Sequence, residues 1–188
     1  MDVYHAIQNR RAFRALKPTA VSPELIEDLA KCARLAPSCF NNQPWNFVFV
    51  SEPQRLVEMR EALSEGNKWA YDASMIIAVF GKKEDDCIIQ NRIYYQFDCG
   101  LAAGFLILRA TELGLVAHPI AGFSPKKTRE ILGIPEEYKV ITLILIGKKS
   151  VELSSILSEK QVKSEKMRPR RKKLDEFVHI NKYGSFPD

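Results

Sequence analysis

The sequence predicts one α+β domain over residues 1–188, and three observations support this fold class. The chain is 46% hydrophobic and 27% charged, which is typical of a globular protein, and its length suits one domain. Helical and strand patterns follow each other along the chain, and the helical patterns cover more of it. No strand pattern leads into GxGxxG, GxxxxGKS/T does not occur, and there is no internal repeat or clear linker. The sequence therefore favours a compact, helix-rich unit over a dinucleotide-binding or P-loop domain.

Two helices near the amino terminus have clear start signals. Asp2 can cap the first, a short amphipathic helix that ends at NRRAFR. Ser22 can cap the second, and Pro23 suits its first position. Because Pro37 disfavours a helical conformation at Ala36, the second helix is expected to end there. The loop that follows, PSCFNNQPWNF, carries more amide and aromatic side chains than a connector needs.

Three apolar runs rich in β-forming residues predict buried strands. They are WNFVFV at 45–50, MIIAVF at 75–80 and KVITLILI at 139–146. Two further helices are predicted at 53–63 and 125–132. We also predict one long helix from Asp86 to Leu113, in which the small residues of GLAAGFLIL favour a central helix or a subunit interface. After Gly147 the tail is expected to be extended until a short helix or strand near LDEFVHI.

Export, membrane and metal signals are not found in the sequence. MDVYHAIQNRR is not a basic start followed by an apolar run, and Leu101–Leu108 is far shorter than the ~20 apolar residues of a membrane span. We therefore expect a soluble, cytoplasmic protein with no membrane partner. The cysteines show no CxxC pairing and the histidines stand singly, which predicts free thiols and no metal site. The cysteines are Cys32, Cys39, Cys87 and Cys99.

The net charge of +5 comes from one short segment. Residues 163–173, KSEKMRPRRKK, hold seven basic residues and one acidic residue. The rest of the chain has 21 basic and 22 acidic residues, a net charge of −1. Since a nucleic-acid footprint normally spreads along a face of the fold, we predict no nucleic-acid partner. A contact between this basic segment and nucleic acid is kept as an alternative.

Two arginine clusters are candidates for binding one anion. Arg10, Arg11 and Arg14 follow the first helix, and the planar guanidinium group suits bidentate binding of a phosphate. A solvated basic helix end is the alternative interpretation. The second cluster, with Arg168, Arg170 and Arg171, can close the other side of the same anion or can be a solvated tail.

The loop at 37–47 is the third candidate site. Asn41, Asn42 and Gln43 offer donors and acceptors for the edge of a heterocycle, and Ser38 adds a hydroxyl. A phosphate clamp with a heterocycle reader suggests a mononucleotide-type cofactor. The chain has no GxSxG, no HExxH and no carboxylate pair in a strong context. We therefore predict no catalytic side chain and expect a cofactor to carry the chemistry.

Five segments, in order, resemble those of the nitroreductase family of FMN-dependent NAD(P)H oxidoreductases. They are IQNRRAFR, APSCFNNQPWNFVFV, NKWAYDASMIIAVF, ELGLVAHPIAGFSP and RRKKLDEFVHINKYG, and together they span nearly the whole chain. PSxxNxQPW is the most specific of their patterns. The resemblance implies an α/β/α sandwich with a mainly antiparallel central sheet, assembled as a domain-swapped homodimer with two flavins at the interface. The tail from about residue 150 is then expected to extend toward the partner subunit.

The resemblance also implies a mechanism. NADH or NADPH gives hydride to flavin N5 and leaves, and a small organic oxidant, such as a nitroaromatic or a quinone, is then reduced at the same site in a ping-pong cycle. The alternative is a flavin-binding or storage module without turnover, since some polar groups of relatives are missing. Ala12 stands where many relatives have Ser, Ala121 where some have Glu, and Lys173 replaces a frequent Pro. At 188 residues there is little room for the helical insertion that covers the site in longer relatives.

Carried over position by position, the resemblance implies FMN contacts in four groups. Arg10, Arg11 and one arginine of the tail are assigned to the phosphate, and Ala12 lies beside them. Arg14 is assigned to the pyrimidine end of the flavin. The partner subunit's loop supplies Pro37, Ser38 and Asn41, with Gln43 as support, and Asn67 reads the pyrimidine edge. The backbone of residues 119–122 lies beside the reactive nitrogen. The complete set is Arg10, Arg11, Ala12, Arg14, Pro37, Ser38, Asn41, Gln43, Asn67, Pro119, Ile120, Ala121, Gly122 and Arg170 or Arg171.

Overall fold

The structure, a computed structural model, describes residues 1–185. The strands are β1 (Leu16–Lys17), β2 (Asn46–Val50), β3 (Met75–Gly81), β4 (Ile88–Ile89), β5 (Arg92–Ile93), β6 (Val116–Ile120) and β7 (Lys139–Lys149). The helices are α1 (Val3–Asn9), α2 (Pro23–Arg34), α3 (Pro53–Met59), α4 (Tyr95–Glu112), α5 (Pro125–Leu132) and α6 (Glu159–Lys166). Short 3₁₀ turns lie at Cys39–Asn41, Arg60–Ala62, Glu65–Asp72, Lys83–Asp85 and Leu174–Glu176. The predicted α+β class is confirmed.

The main sheet is antiparallel throughout and centres on β7. This strand pairs with β3, β6 and β1, and β3 pairs in turn with β2. β4 and β5 form a separate hairpin. The three strands predicted from apolar runs correspond to β2, β3 and β7.

Both faces of the sheet are buried, which gives the α/β/α sandwich. In β3, Ile76 and Ala78 belong to one apolar cluster and Ile77 and Val79 to the other, because successive side chains point to opposite faces. One cluster contains residues of α3, α5 and α6. The other contains residues of α2 and α4, so the GLAAGFLIL segment lies in a central helix.

The predicted helix starts are confirmed. The Asp2 carboxylate accepts from the backbone N–H of His5 at 2.9 Å. The Ser22 hydroxyl accepts from the N–H of Leu25 at 3.3 Å, and Pro23 is the first residue of α2. These side chains satisfy backbone donors that have no partner inside a helix.

The long helix predicted from Asp86 to Leu113 is wrong in its first third. α4 begins at Tyr95, and the residues before it form the β4–β5 hairpin, with Ile88 opposite Ile93. The pairs of β-branched isoleucines favour strands, and Gln90 turns the chain with a φ of 59°. The sequence signal for this turn was Gln-Asn at 90–91, which stands between Ile-Ile and Arg-Ile in IIQNRI.

Besides the short strands β1, β4 and β5, β6 and α6 were not predicted. β6 contains Pro119, which ordinarily argues against a strand, but β6 pairs only with β7 among the described residues and is therefore an edge strand. α6 occupies part of the tail that was expected to be extended, so that expectation is wrong there. Its start is a capping box in which Ser158 and Gln161 bond each other's backbone N–H, and SEKQ in the sequence was its signal.

The expectation of four free thiols is wrong for one pair. Cys39 and Cys87 form a disulfide, whereas Cys32 and Cys99 are free. Asn46 of β2 pairs with Phe80 of β3, so the chain before β2 and the chain after β3 leave the sheet at the same end. This topology brings together two cysteines that are 48 residues apart, which sequence spacing does not show.

Within residues 1–185, no helix combines the length and the apolar character that crossing a bilayer requires.

Gly133 ends α5 with a φ of 65°, a left-handed conformation that costs a residue with a Cβ. We expect Gly133→Ala to lower the free energy of unfolding by about 1 kcal/mol, measured by urea denaturation. Gly66→Ala is the matched control, because a Cβ there also meets open space but Gly66 has no positive φ. Equal stability of the two variants would contradict the assignment of the cost to the backbone.

Candidate functional site

A cleft of about 490 Å³ lies between the segment that follows α1 and the helix α6 with the tail after it. Of its lining residues, six are basic and none is acidic among the part of the chain that the structure describes. The lining consists of Arg10, Arg11, Ala12, Arg14, Ser158, Lys160, Gln161, Ser164, Arg168, Pro169 and Arg171. This concentration of positive charge is suited to an anion.

The charge of Arg10 lies in an unfavourable environment in this cleft. Burial lowers the pKa of its guanidinium, and the nearby charges of Arg168 and Arg171 lower it further. A bound anion would relieve this repulsion. The Arg10 side chain has no hydrogen-bond partner among residues 1–185, so its donors are available to such an anion.

Side chains of both α6 and residues 10–15, the arginine segment, hold these two parts of the chain together. The Arg11 guanidinium donates to the carbonyl oxygens of Ser164 at 2.6 Å and Glu165 at 3.3 Å, near the carboxyl end of α6. A cation is favourable there because the last carbonyls of a helix have no partner inside it. Arg14 donates to the Ser164 hydroxyl at 3.2 Å. Arg11 is therefore committed to fixing α6 as well as lining the cleft.

Glu165 binds the backbone of the same segment in return. It is only 6% exposed, and its carboxylate accepts from the backbone N–H of Arg14 at 2.7 Å and of Ala15 at 3.4 Å. Hydrogen bonds of this kind, to a charged group, contribute about 1.5 to 3 kcal/mol. Glu165 therefore sets the position of the residues that carry the arginines.

The tail closes another side of the cleft. The Arg168 guanidinium donates to the carbonyl oxygen of Arg10 at 3.2 Å and to that of Gln8. These bonds connect the tail with the carboxyl end of α1. Arg171 lines the cleft, whereas Arg170 is exposed and does not.

A stacked aromatic pair lies behind the arginines. The Trp69 and His118 rings are 4.7 Å apart between centroids, and the Arg14 guanidinium lies 5.8 Å from the Trp69 ring. His118 Nδ1 lies 2.9 Å from the carbonyl oxygen of Phe13 and donates to it. Burial lowers the pKa of His118 to about 4, so its ring is neutral at physiological pH.

Asn67 and Gly122 are brought together, although 55 residues separate them. Asn67 Nδ2 donates to the Gly122 carbonyl oxygen at 2.8 Å, and its Oδ1 accepts from the Trp69 indole at 3.1 Å. A Cβ on residue 122 would lie 2.5 Å from Asn67 Nδ2, so only glycine allows this approach. At the end of β6 and just after it, Pro119 and Ala121 are exposed, whereas Ile120 is buried.

The loop at 37–43 does not line the arginine cleft of its own chain. The Ser38 hydroxyl accepts from the Gln43 N–H at 2.9 Å, and the Gln43 side chain donates to the Asn41 carbonyl oxygen at 3.3 Å. Phe40, Asn41 and Gln43 all have positive φ, and Phe40 is 86% exposed. Such backbone strain concentrates at functional sites.

The structure thus brings together part of the predicted set. Arg10, Arg11, Ala12, Arg14 and Arg171 share one cleft, and Asn67 meets Gly122. Sequence analysis missed the contribution of α6 to the cleft and the Trp69–His118 pair. The capping box SEKQ was the signal for the former, and no sequence pattern marked the latter.

Comparison with known proteins decides the family. The family model described as "Nitroreductase family" matches residues 7–68 and 62–148. The chain belongs to the nitroreductase family. It is 32% identical over 150 residues to an Archaeoglobus fulgidus protein provisionally named NADH dehydrogenase/NAD(P)H nitroreductase, covering 75% of this chain and 82% of that one. It is 29% identical over 174 residues to an iodotyrosine deiodinase of Haliscomenobacter hydrossis, covering 78% of each.

Two solved structures have the same fold as this chain. A nitroreductase family protein from Clostridium difficile 630 superimposes with a TM-score of 0.78 at 25% identity, over 97% of this chain and 99% of that one. An oxidoreductase described as containing FMN superimposes with a TM-score of 0.82 at 26% identity, over 96% of this chain and 92% of that one. The chain is thus a nitroreductase-family oxidoreductase with the fold of its relatives.

The buried, neutral His118 predicts a pH dependence of stability. Its pKa falls from an ordinary 6.5 to about 4 on folding, so only the unfolded chain binds a proton between these values. Above pH 6.5 His118 is neutral in both states, so we expect it to cause no change in the free energy of unfolding with pH. As the pH is lowered from 6.5 toward 4, we expect this free energy to fall by up to about 3 kcal/mol. Urea denaturation at a series of pH values measures this.

The control for this measurement is a second histidine variant. His118→Asn keeps a donor toward Phe13 and is expected to flatten the pH dependence, whereas the same change at the exposed His179 leaves it as in the parent. A His118→Asn variant with the parent's pH dependence would show that another group is responsible.

Proposed function

We propose that this nitroreductase-family protein is an FMN-dependent oxidoreductase that passes hydride from NADH or NADPH to a small organic oxidant. The observation that carries the proposal is the cleft, in which five arginines and a lysine meet with no carboxylate among the described lining residues. The family match and the FMN named for a structural relative support the choice of cofactor.

The donor set of the cleft fits the phosphate of FMN. A phosphate monoester carries up to two negative charges and three strong acceptor oxygens, which planar guanidinium groups bind well. Arg10 is half-buried, has an unused guanidinium and lies in the field of Arg168 and Arg171. We assign the phosphate to Arg10 and Arg171, and to Arg11 through the donors that α6 leaves free. Ala12 contributes no hydroxyl, so arginines carry the binding.

Other residues of the chain orient the ring. Arg14, which is held by Ser164, Glu165 and Trp69, is assigned to the pyrimidine end of the flavin. The Asn67 Oδ1 retains one lone pair for the ring edge, because its amide donors are already bonded to Gly122 and Ser64. The backbone of the exposed residues Pro119 and Ala121 is assigned to the reactive side of the ring. When bound, FMN supplies the hydride chemistry at N5, and the protein supplies position, charge and exclusion of water.

The loop at 37–43 is proposed to complete the site of a second subunit. Its exposed Pro37, Asn41 and Gln43 and its half-buried Ser38 are absent from the cleft of their own chain. Large apolar side chains are also exposed on α1 and α4, among them Val3, Tyr4, Ile7, Phe97 and Phe105. Burying such groups is the driving force for association of subunits. We therefore propose a homodimer with paired sites and with part of the tail reaching the partner.

Purified protein and added FMN test the proposal. We expect flavin absorbance in the blue region, flavin bound at one per chain, and oxidation of NADH or NADPH when a nitroaromatic, a quinone or an iodotyrosine is supplied. The iodotyrosine is included because one relative is named a deiodinase. Protein that binds no FMN overturns the proposal. Protein that binds FMN but turns over none of the oxidants supports a storage module instead.

Removal of single arginines tests the phosphate assignment. Arg10→Ala and Arg171→Ala are expected to weaken FMN binding by about 10- to 100-fold, because each charged hydrogen bond contributes about 1.5 to 3 kcal/mol. Titration of the apoprotein with FMN, followed by flavin fluorescence, measures this. Arg170→Ala and the exposed Arg34→Ala are the controls and should leave the affinity unchanged. A loss with Arg170→Ala and none with Arg171→Ala would reverse the assignment between the two.

Glu165 tests whether α6 positions the site. Glu165→Ala removes both acceptors of the Arg14 and Ala15 N–H groups and should weaken FMN binding by about 10-fold, although Glu165 is not among the residues that line the cleft. Glu165→Gln keeps one acceptor oxygen and should have a smaller effect. Glu159→Ala, on the exposed first turn of the same helix, is the control. Unchanged affinity in Glu165→Ala would show that the arginines hold their positions without α6.

A further inference from the structure

A second cluster of chemically active side chains lies at the base of the 37–43 loop. The sulfur atoms of Cys39 and Cys87 and a carboxylate oxygen of Asp86 all lie within 4.8 Å of one another. They come from two segments that leave the sheet at the same end, one before β2 and one after β3. The proposed flavin site does not use these side chains.

Asp86 has an unsatisfied oxygen inside this cluster. The residue is only 9% exposed, and its Oδ2 has no hydrogen-bond partner among residues 1–185. Its Oδ1 accepts from the Asn42 amide at 3.3 Å. A buried carboxylate oxygen without a partner is costly and rare in native proteins, and here either a proton shared with the adjacent Asp98 carboxyl or a bound cation can satisfy it.

A second buried carboxyl group increases the negative charge at this place. Asp98 is 2% exposed, and its Oδ2 accepts from the Cys39 N–H at 2.7 Å. Burial and the neighbouring Asp86 raise the pKa of Asp98. Neither carboxyl forms an ion pair with a lysine, an arginine or a histidine within the described chain. The cluster therefore contains two carboxyl groups and no positive charge.

We propose that Cys39, Asp86 and Cys87 form a site for a divalent cation of the zinc type once their disulfide is reduced. Two thiolates and a carboxylate are ligands that Zn²⁺ prefers, and three protein ligands leave a fourth position for water. Asn42 orients two of the ligands, since its amide donates to Asp86 and lies 3.4 Å from the Cys87 sulfur. The spacing of the cysteines in sequence predicts no metal site, because only the fold brings these ligands together.

The metal and the disulfide are alternatives. A dithiol reductant breaks the Cys39–Cys87 bond by transferring two electrons and two protons, which leaves two thiols and an oxidised dithiol. Binding of Zn²⁺ then displaces one proton from each thiol and joins both sulfurs to the metal. Either state connects the loop at Cys39 with the segment before β4. The loop is thus held under oxidising and under reducing conditions.

The test compares oxidised and reduced forms of the full chain. After anaerobic treatment with a phosphine reductant, Co²⁺ is expected to bind at one per chain and to give a thiolate-to-cobalt charge-transfer band in the near ultraviolet. Zn²⁺ should displace the Co²⁺ and abolish the band. The oxidised protein should show neither signal. Reduced protein that binds no more metal than oxidised protein overturns the proposal and leaves a structural disulfide beside a carboxyl pair.

Variants assign the ligands. Asp86→Asn and Cys87→Ser are each expected to lower Co²⁺ affinity at least 10-fold in the reduced protein. Cys32→Ser is the matched control, since Cys32 is a free, half-buried thiol on α2 that lies outside the cluster. Far-ultraviolet circular dichroism checks that each variant is folded. Asp86→Asn with the parent's affinity would remove the carboxylate from the ligand set and overturn the site as proposed. FMN content, measured in parallel, reports on the flavin proposal separately.

Discussion

The docking of α6 on the segment after α1 is the contact on which the arginine cleft depends. Glu165 binds two backbone N–H groups of that segment, and Arg11 binds two carbonyl groups of α6 in return. The two partners are about 150 residues apart, so this contact joins the two ends of the domain. The buried Glu165 carboxylate forms no ion pair among the described residues, and these backbone donors satisfy its charge.

This contact has an electrostatic consequence. Holding the two segments together brings Arg10 close to Arg168 and Arg171, and burial, with these two charges in addition, lowers the pKa of Arg10. The apolar core contributes the free energy that makes the arrangement possible, since Leu157 and Val162 anchor this part of the chain to the sheet. The cleft therefore stores repulsion that a phosphate would remove. A site of this kind is better organised for an anion than a flexible basic tail would be.

The end of the β2–β3 pair where Asn46 faces Phe80 has a cluster of the opposite charge. Two buried carboxyl groups, Asp86 and Asp98, lie beside the disulfide, with an amide and a backbone N–H as their donors. The loop above them contains three non-glycine residues with positive φ, which costs about 1 to 3 kcal/mol each. The disulfide and the Cys39–Asp98 hydrogen bond hold the loop in this strained form.

The amino-acid sequence by itself determined the helix starts at Asp2 and Ser22, the three buried strands, the helix at 125–132 and the family, because these depend on local periodicity, caps and short motifs. It misjudged residues 86–94, where a hairpin turn was overlooked, and the tail, where a capping box was overlooked. Only the tertiary structure decided that Arg168 and Arg171 face Arg10, that Glu165 is buried, and that Cys39 meets Cys87. These contacts join residues far apart in the chain, and their partners are selected by strand pairing and core packing, which no local pattern encodes.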